Sequence, residues 1–222
     1  MKQDAFWRFF DREAAPRLGL REPTFRRTFE CLDRMKGAIT IVETGCARQA
    51  GNWEGDGQST VLFDRYVSAR DAHSKCVTVD LSEAAVATCR TLVGPRVSVN
   101  CGDSVAFLGT FADEAKAGGR TIDFLYLDSF DLDRTHWYPS AIHHLKELAA
   151  SIRCLRPDSL VVVDDCPLVA DIVPASTGNF EFIGEPSIGG KGRLVAEYAA
   201  AVGARLEFSG YQAGWTGLVR NF

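Results

Sequence analysis

The 222-residue chain has no run approaching the ~18 apolar residues of a membrane helix, so no membrane span and no membrane partner are expected. Its start, Met1 to Trp7, has no apolar core followed by small residues, which argues against a secretory signal. No basic excess is present: 25 Lys and Arg face 29 Asp and Glu, for a net charge of −4. A nucleic-acid partner is therefore disfavoured, although Arg17, Arg21, Arg26 and Arg27 could form a local basic patch. No Cys-x-x-Cys pair occurs among the seven cysteines, Cys31, Cys46, Cys76, Cys89, Cys101, Cys154 and Cys166. That scattered, odd-numbered set, several members in apolar runs, fits a reducing compartment, and a cytoplasmic location is expected. The Gly-x-Gly-x-x-Gly fingerprint is missing too, which weighs against an NAD-dependent oxidoreductase. Without a long linker, low-complexity tract or repeat, residues 1–222 are expected to form one domain.

What is present is an alternation. Residues 1–37 read as a helical lead-in, with Phe6, Phe9 and Phe10, then Phe25, Phe29 and Leu32, at helical spacing, and Pro16 and Pro23 dividing it. From residue 38 short β-branched runs alternate with helices. Strands are expected at 38–43, 75–80, 96–100, 122–127 and 160–163. Helices are expected at 58–68, 83–93, 104–117, 139–156 and 192–202, the fourth with a buried stripe of Ile142, Leu145, Ala149 and Ile152. Two further strands, 206–211 and 215–220, read as a closing hairpin. The pattern predicts an α/β fold: a Rossmann-like, mostly parallel seven-stranded sheet with helices on both faces and a C-terminal antiparallel hairpin. Residues 171–190, rich in Gly and Pro, interrupt one strand-to-helix connection as a lid-like insertion, which with Trp53, Trp137 and Tyr138 could cover a substrate.

Acids end the strands. Glu43, Asp80, Asp128, Asp164 and Asp165 should all reach the carboxyl edge of the sheet, where such folds bind ligands. Gly45 follows Glu43 and allows close backbone approach; the loop behind it ends in Asp56-Gly57-Gln58-Ser59-Thr60, which makes Ser59 a candidate cofactor contact. A diphosphate is poorly matched by an adjacent carboxylate, whereas S-adenosylmethionine (SAM) carries an amine and a sulfonium, so these acids favour SAM. Asp80 can accept ribose hydroxyls. Asp103, in Gly102-Asp103-Ser104, reads as an adenine contact or as a helix N-cap. Asp128 with Asp164 and Asp165 offers three hard oxygen ligands suited to Mg²⁺ or Mn²⁺; the alternative is a set of solvated strand ends.

In this order, Val42-Glu43-Thr44-Gly45, Val77-Thr78-Val79-Asp80, Gly102-Asp103-Ser104, Leu125-Tyr126-Leu127-Asp128 and Val161-Val162-Val163-Asp164-Asp165 resemble the class I SAM-dependent methyltransferases, in particular the metal-dependent macrocin-type and catechol-type O-methyltransferases. The resemblance covers residues 38–220. It implies that Glu43 and Gly45 border the methionine part of SAM, that Asp80 holds the ribose and Asp103 with Ser104 the adenine, and that Asp128, Asp164 and Asp165 are metal ligands. It implies O-methylation of a hydroxyl on a small molecule of sugar or aromatic type. A non-catalytic SAM- or nucleotide-binding protein is the alternative on the same fold. The chain departs from the group in a longer first loop, with Gly51 to Gly57 inserted, and in the residues after the first metal aspartate. Phe130 and Asp131 stand there, without the lysine of the catechol-type enzymes.

Asp131 is thus one candidate general base. His144, which flanks the apolar stripe of its helix, is preferred to His143, although both read equally as surface or supporting histidines. Lys191 reads as a lid contact or, more simply, a solvated lysine. The aromatic lead-in could cap the domain or form a contact in a homo-oligomer.

Overall fold

In the computed structural model, which describes residues 3–219, helix α1 (Gln3–Phe9) runs through a π-helical stretch (Phe10–Ala14) and two 3-10 turns (Ala15–Arg17, Gly19–Arg21) into α2 (Glu22–Arg34). Pro16 and Pro23 sit in first turns, where the missing N–H has no helical partner to lose, so they join the helical pieces. Phe6, Phe10, Phe25 and Phe29 are fully buried against Phe63, Tyr66, Phe124 and Tyr126. Rings meet at 4.5 Å for Phe6 with Phe29 and 5.9 Å for Phe25 with Tyr126. Each such ring is worth roughly 1.5–3 kcal/mol of burial. The lead-in therefore caps one face of the sheet.

Beyond it come β1 (Thr40–Thr44), the single turn α3 (Trp53–Asp56), α4 (Ser59–Arg70), β2 (Lys75–Asp80), α5 (Glu83–Leu92), β3 (Val97–Cys101), α6 (Ser104–Ala117), β4 (Ile122–Leu127), α7 (Tyr138–Ser151) and β5 (Leu155–Val163). A hairpin of β6 (Leu168–Pro174) and β7 (Phe180–Ile188) follows, then α8 (Arg193–Val202), β8 (Arg205–Ser209) and β9 (Ala213–Thr216). The sheet order is β3-β2-β1-β4-β5-β9-β8, with β6 and β7 apart from it. Pairs within β1 to β5 are parallel, and β9 runs antiparallel to both β5 and β8. All six residues of β4 are buried, as a central parallel strand requires. Strand order reverses between β1 and β4, so the ligand crevice of such a sheet opens over their carboxyl ends. The seven-stranded α/β expectation is met.

Several local expectations were displaced. The helix expected over 139–156 ends at Ser151, and β5 starts at Leu155, five residues before the apolar run. Its first stretch pairs through an irregularity in which Ser159 Oγ accepts from Arg156 N (2.8 Å) and donates to Ile122 O (2.5 Å). The buried stripe of α7 is Ala141, His144, Glu147, Leu148 and Ser151, one position off the stripe drawn from hydropathy. Residues 171–190, expected as a long lid-like insertion, form most of the β6–β7 hairpin, whose Phe180 and Phe182 are 70% and 71% exposed. The final expected strand, 215–220, ends at Thr216, and Arg220 lies outside the described residues. No described helix is long and apolar enough to cross a membrane.

Candidate functional site

The register of β1 on β4 sets Thr44 beside Leu127, so Gly45 and Asp128 leave the sheet side by side. Gly45 has φ +81°, and a Cβ there would lie 2.6 Å from the Asp128 carbonyl oxygen; both constraints demand glycine. Glu43, one strand residue earlier, is fully buried. Its two carboxylate oxygens accept the hydroxyls of Ser59 (2.5 Å) and Thr60 (2.7 Å), which ties the start of α4 to β1. Burial pushes the Glu43 carboxyl up to about 8, against those two hydrogen bonds.

Asp80 stands at the middle of a narrow cleft. Its carboxylate accepts from Cys46 N (3.2 Å) and Ser82 N (2.8 Å). On one side the cleft is lined by Gly45, Cys46, Ser59 and Asp128, on the other by Leu81, Asp103, Ser104, Phe130 and His143. Asp103 is the N-cap of α6, accepting from Ala106 N (2.8 Å), and also lines the cleft, so both of its readings have a physical basis. Arg48 reaches across the first side to Asp131 (3.1 Å) and Asp56 (3.4 Å).

Beneath lies a network that hydropathy and motif spacing did not reveal. Glu147 is fully buried and accepts from Ser129 Oγ (2.5 Å) and Thr44 Oγ1 (3.1 Å), with His143 Nε2 at 3.3 Å. Its hydrogen bond with Glu147 raises the pKa of His143. Ser104 Oγ joins the network at 3.0 Å from His143. These polar residues can occupy the buried side of α7 because their hydrogen bonds are met, which a hydropathy stripe does not register.

The acidic tips of β4 and β5 converge. Asp128, Asp164 and Asp165 each place a carboxylate oxygen within 4.8 Å of the others. Asp164 is almost inaccessible: Oδ1 accepts from Tyr126 OH (3.1 Å) and Gln212 Nε2 (2.8 Å), and Oδ2 lies 3.3 Å from Arg21 Nη2. Arg21 is fixed in turn by the Glu54 carbonyl (2.8 Å) and by the Tyr211 ring, 4.3 Å from its guanidinium carbon. Asp165 has φ +46°, an uncommon conformation for a residue with a Cβ, which turns its side chain back toward Asp128. Lys191 corrects the expectation of a solvated lysine. It is 1% exposed, and its ammonium bonds Asp128 Oδ1 and lies 3.0 Å from Asp165 Oδ2. Burial would push Lys191 down, but Asp128, Asp165 and Asp164 together hold it above its ordinary value. Burial raises Asp128, with Lys191 opposing.

Of the candidate bases, Asp131 is 77% exposed and engaged by Arg48. His144 is fully buried, with Nδ1 2.7 Å from the Ser140 carbonyl and Nε2 without a hydrogen-bond partner. Burial brings its pKa down to about 4, so the ring is neutral. The preference for His144 is thereby corrected: flanking the apolar stripe is what takes it out of the cleft, while His143 lines it. Trp53 packs on Phe9 and Arg17 in the lead-in, which removes it from any substrate cover. Trp137 does line a cavity of about 830 Å³ beside the acidic cluster, with Leu20, Leu168, Val169, Ile183 and Tyr211 among its walls.

No protein-family model matches the chain, and no curated protein matches it in sequence. Solved structures do match in fold. MycE, a methyltransferase from the mycinamycin biosynthetic pathway solved in complex with Mg and SAH, superposes with a TM-score of 0.55 at 15% identity, over 97% of this chain and 54% of that one. This chain thus spans about half the length of MycE. CalS11, a calicheamicin methyltransferase, gives 0.52 at 12% identity over 97% and 91%. An apo structure of CalS11, described as a TDP-rhamnose 3'-O-methyltransferase, gives 0.51 at 13% over 97% and 92%. At these identities the likeness establishes architecture: the chain is built on the Rossmann-like seven-stranded fold of these methyltransferases.

Proposed function

We propose that the chain is a SAM-dependent O-methyltransferase that transfers a methyl group to a hydroxyl of a small molecule, with a divalent cation held by Asp128, Asp164 and Asp165. One observation carries the reading: three carboxylates meet at the tips of β4 and β5, where Asp128 also lines the narrow cleft around Asp80. MycE was solved with Mg and SAH, and CalS11 methylates a sugar nucleotide by its description, which supports the same chemistry here. The donor set fits a hard cation, since all three ligands are carboxylates and a cationic group, the Lys191 ammonium, already rests on two of them.

The residues divide the work. The narrow cleft would take SAM, with Asp80 accepting the ribose hydroxyls and Asp103, Ser104 and His143 bordering the adenine. Gly45, Ser59 and Asp128 would border the methionine part, with Glu43 anchoring the loop beneath. The cation would supply Lewis-acid chemistry, lowering the pKa of the acceptor hydroxyl. The large cavity would hold the acceptor's body; its volume lies in the range of small-molecule sites, about 300–1,000 Å³. The methyl passes from sulfur to oxygen as the S–C bond breaks, and the hydroxyl proton leaves to a base, a role we assign to Asp131, whose ion-pair partner Arg48 lines the cleft.

Two measurements test this assignment. Asp80→Ala should weaken SAH binding by about 10–100-fold in calorimetry, the loss of a charged hydrogen bond of roughly 1.5–3 kcal/mol; unchanged affinity would move the ribose elsewhere. Asp131→Asn should lower kcat by roughly 10²–10⁴-fold with SAH affinity retained, as expected for a lost general base. A kcat within twofold of the parent would remove Asp131 from that role.

A further inference from the structure

We propose that Lys191 is a built-in competitor for the metal: in the metal-free protein its ammonium occupies the place between Asp128 and Asp165, and a divalent cation seats by displacing it. The inference rests on the metal-dependent reading above and adds to it what sets the affinity of the site.

Three observations carry it. The first is charge. Three carboxylates face Lys191 and Arg21, so the formal count leaves one more acid than base in a largely buried cluster. Exchange of the ammonium for a divalent ion, with Arg21 unmoved, closes the balance. The second is access. Asp164 is closed off by Tyr126, Gln212 and Arg21, but the side chains of Asp128 and Asp165 keep 22% and 21% of their surface open, and these are the two that Lys191 holds. Arg21 cannot yield in the same way, because its guanidinium is also held by the Glu54 carbonyl and the Tyr211 ring. Lys191 reaches the carboxylates through the tip of a flexible four-carbon stem.

The third is construction. Lys191 lies in Gly189-Gly190-Lys191-Gly192, and each glycine is there for close approach. A Cβ on Gly190, at φ +57°, would run into the Asp165 carbonyl oxygen and come within 2.6 Å of Pro167 Cδ. A Cβ on Gly192 would run into Cys166 Sγ, and one on Gly189 would lie 2.6 Å from Val169 Cγ1. Lys191 N donates to Asp165 O at 3.1 Å. The backbone is thus strapped onto the Asp165-Cys166-Pro167 turn in the one arrangement that delivers an ammonium to the carboxylates. A lysine serving only as solvated surface would need none of this.

The test is Mn²⁺ titration of the full chain by calorimetry, for the parent protein, Lys191→Met and Lys191→Gln, with melting temperature and SAH binding measured alongside. Both variants should bind Mn²⁺ at least tenfold more tightly than the parent. Without metal they should melt below the parent, and saturating Mn²⁺ should raise their melting temperature by more than it raises the parent's. If the parent binds Mn²⁺ and the folded variants bind it equally or more weakly, the competition is absent. A variant that stays unfolded at saturating Mn²⁺ would make Lys191 a structural strut and overturn the proposal. Uptake of SAH but of no Mn²⁺ by all three proteins would instead remove the metal reading itself, and this inference with it.

Discussion

Asp128→Asn should reduce kcat/KM for methyl transfer by about 10³-fold or more, a loss of roughly 4 kcal/mol in transition-state stabilisation. Asp128 borders the cleft proposed for SAM and is one of the two carboxylates in the cluster with open surface. An amide in its place keeps the shape but removes the charge that would hold the cation beside the acceptor oxygen. The expected signature is specific: Mn²⁺ binding is lost, SAH binding stays within about threefold, and the residual rate no longer responds to added metal. Loss of SAH binding together with activity would place Asp128 in the cofactor pocket alone. Retained metal dependence would exclude it as a ligand.

Gly190→Ala should cost about 3 kcal/mol or more in denaturant unfolding. The left-handed conformation accounts for roughly 1–2 kcal/mol of that. The remainder comes from the clash of the new Cβ with the Asp165 carbonyl and Pro167, since the turn it meets is held by Lys191 N and by Cys166 N bonding to the Tyr211 carbonyl. Gly184→Ala supplies the comparison. Gly184 has φ +75° and nothing within 4 Å of where the new methyl group would sit, so only the conformational cost of roughly 1–2 kcal/mol should appear. Equal costs at the two positions would mean that the strap around Lys191 is loose. The same substitution at Gly190 should weaken the hold of Lys191 on Asp128 and so alter Mn²⁺ affinity, which couples the stability measurement to the site.

The acidic strand tips were legible in the sequence because parallel strands buried on both faces read as short β-branched runs, and four of the five parallel runs here stop at an acid. Topology then carries those acids to one edge. Asp80, Asp128, Asp164 and Asp165 needed no more than that. The groups that complete the site were harder to read because their burial depends on partners far along the chain. Lys191 looks like any lysine in a glycine-rich loop until Asp128 and Asp165 are brought beneath it, and the available signal was the glycine on each side. Arg21 is 143 residues from Asp164, and nothing local marks it. His144 and Glu147 are polar residues on the buried side of α7, so a stripe drawn from hydropathy alone fell one position away, on Ile142 and Leu145. The β6–β7 hairpin was hidden for a different reason. Val169, Ile172, Val173, Phe180, Phe182 and Ile183 carry strand propensity, but Pro174, Gly178 and Pro186 among them drew the segment toward a loop.

The proposed chemistry depends on a cation entering among Asp128, Asp164 and Asp165. The most direct measurement is anomalous diffraction from crystals soaked with Mn²⁺ and SAH. One strong peak is expected at metal–oxygen distance from Asp128, Asp164 and Asp165, with Lys191 Nζ withdrawn from Asp128 and Asp165 and SAH lying along the cleft at Asp80. SAH bound there with no anomalous peak, and the ammonium still seated on the two carboxylates, would contradict it.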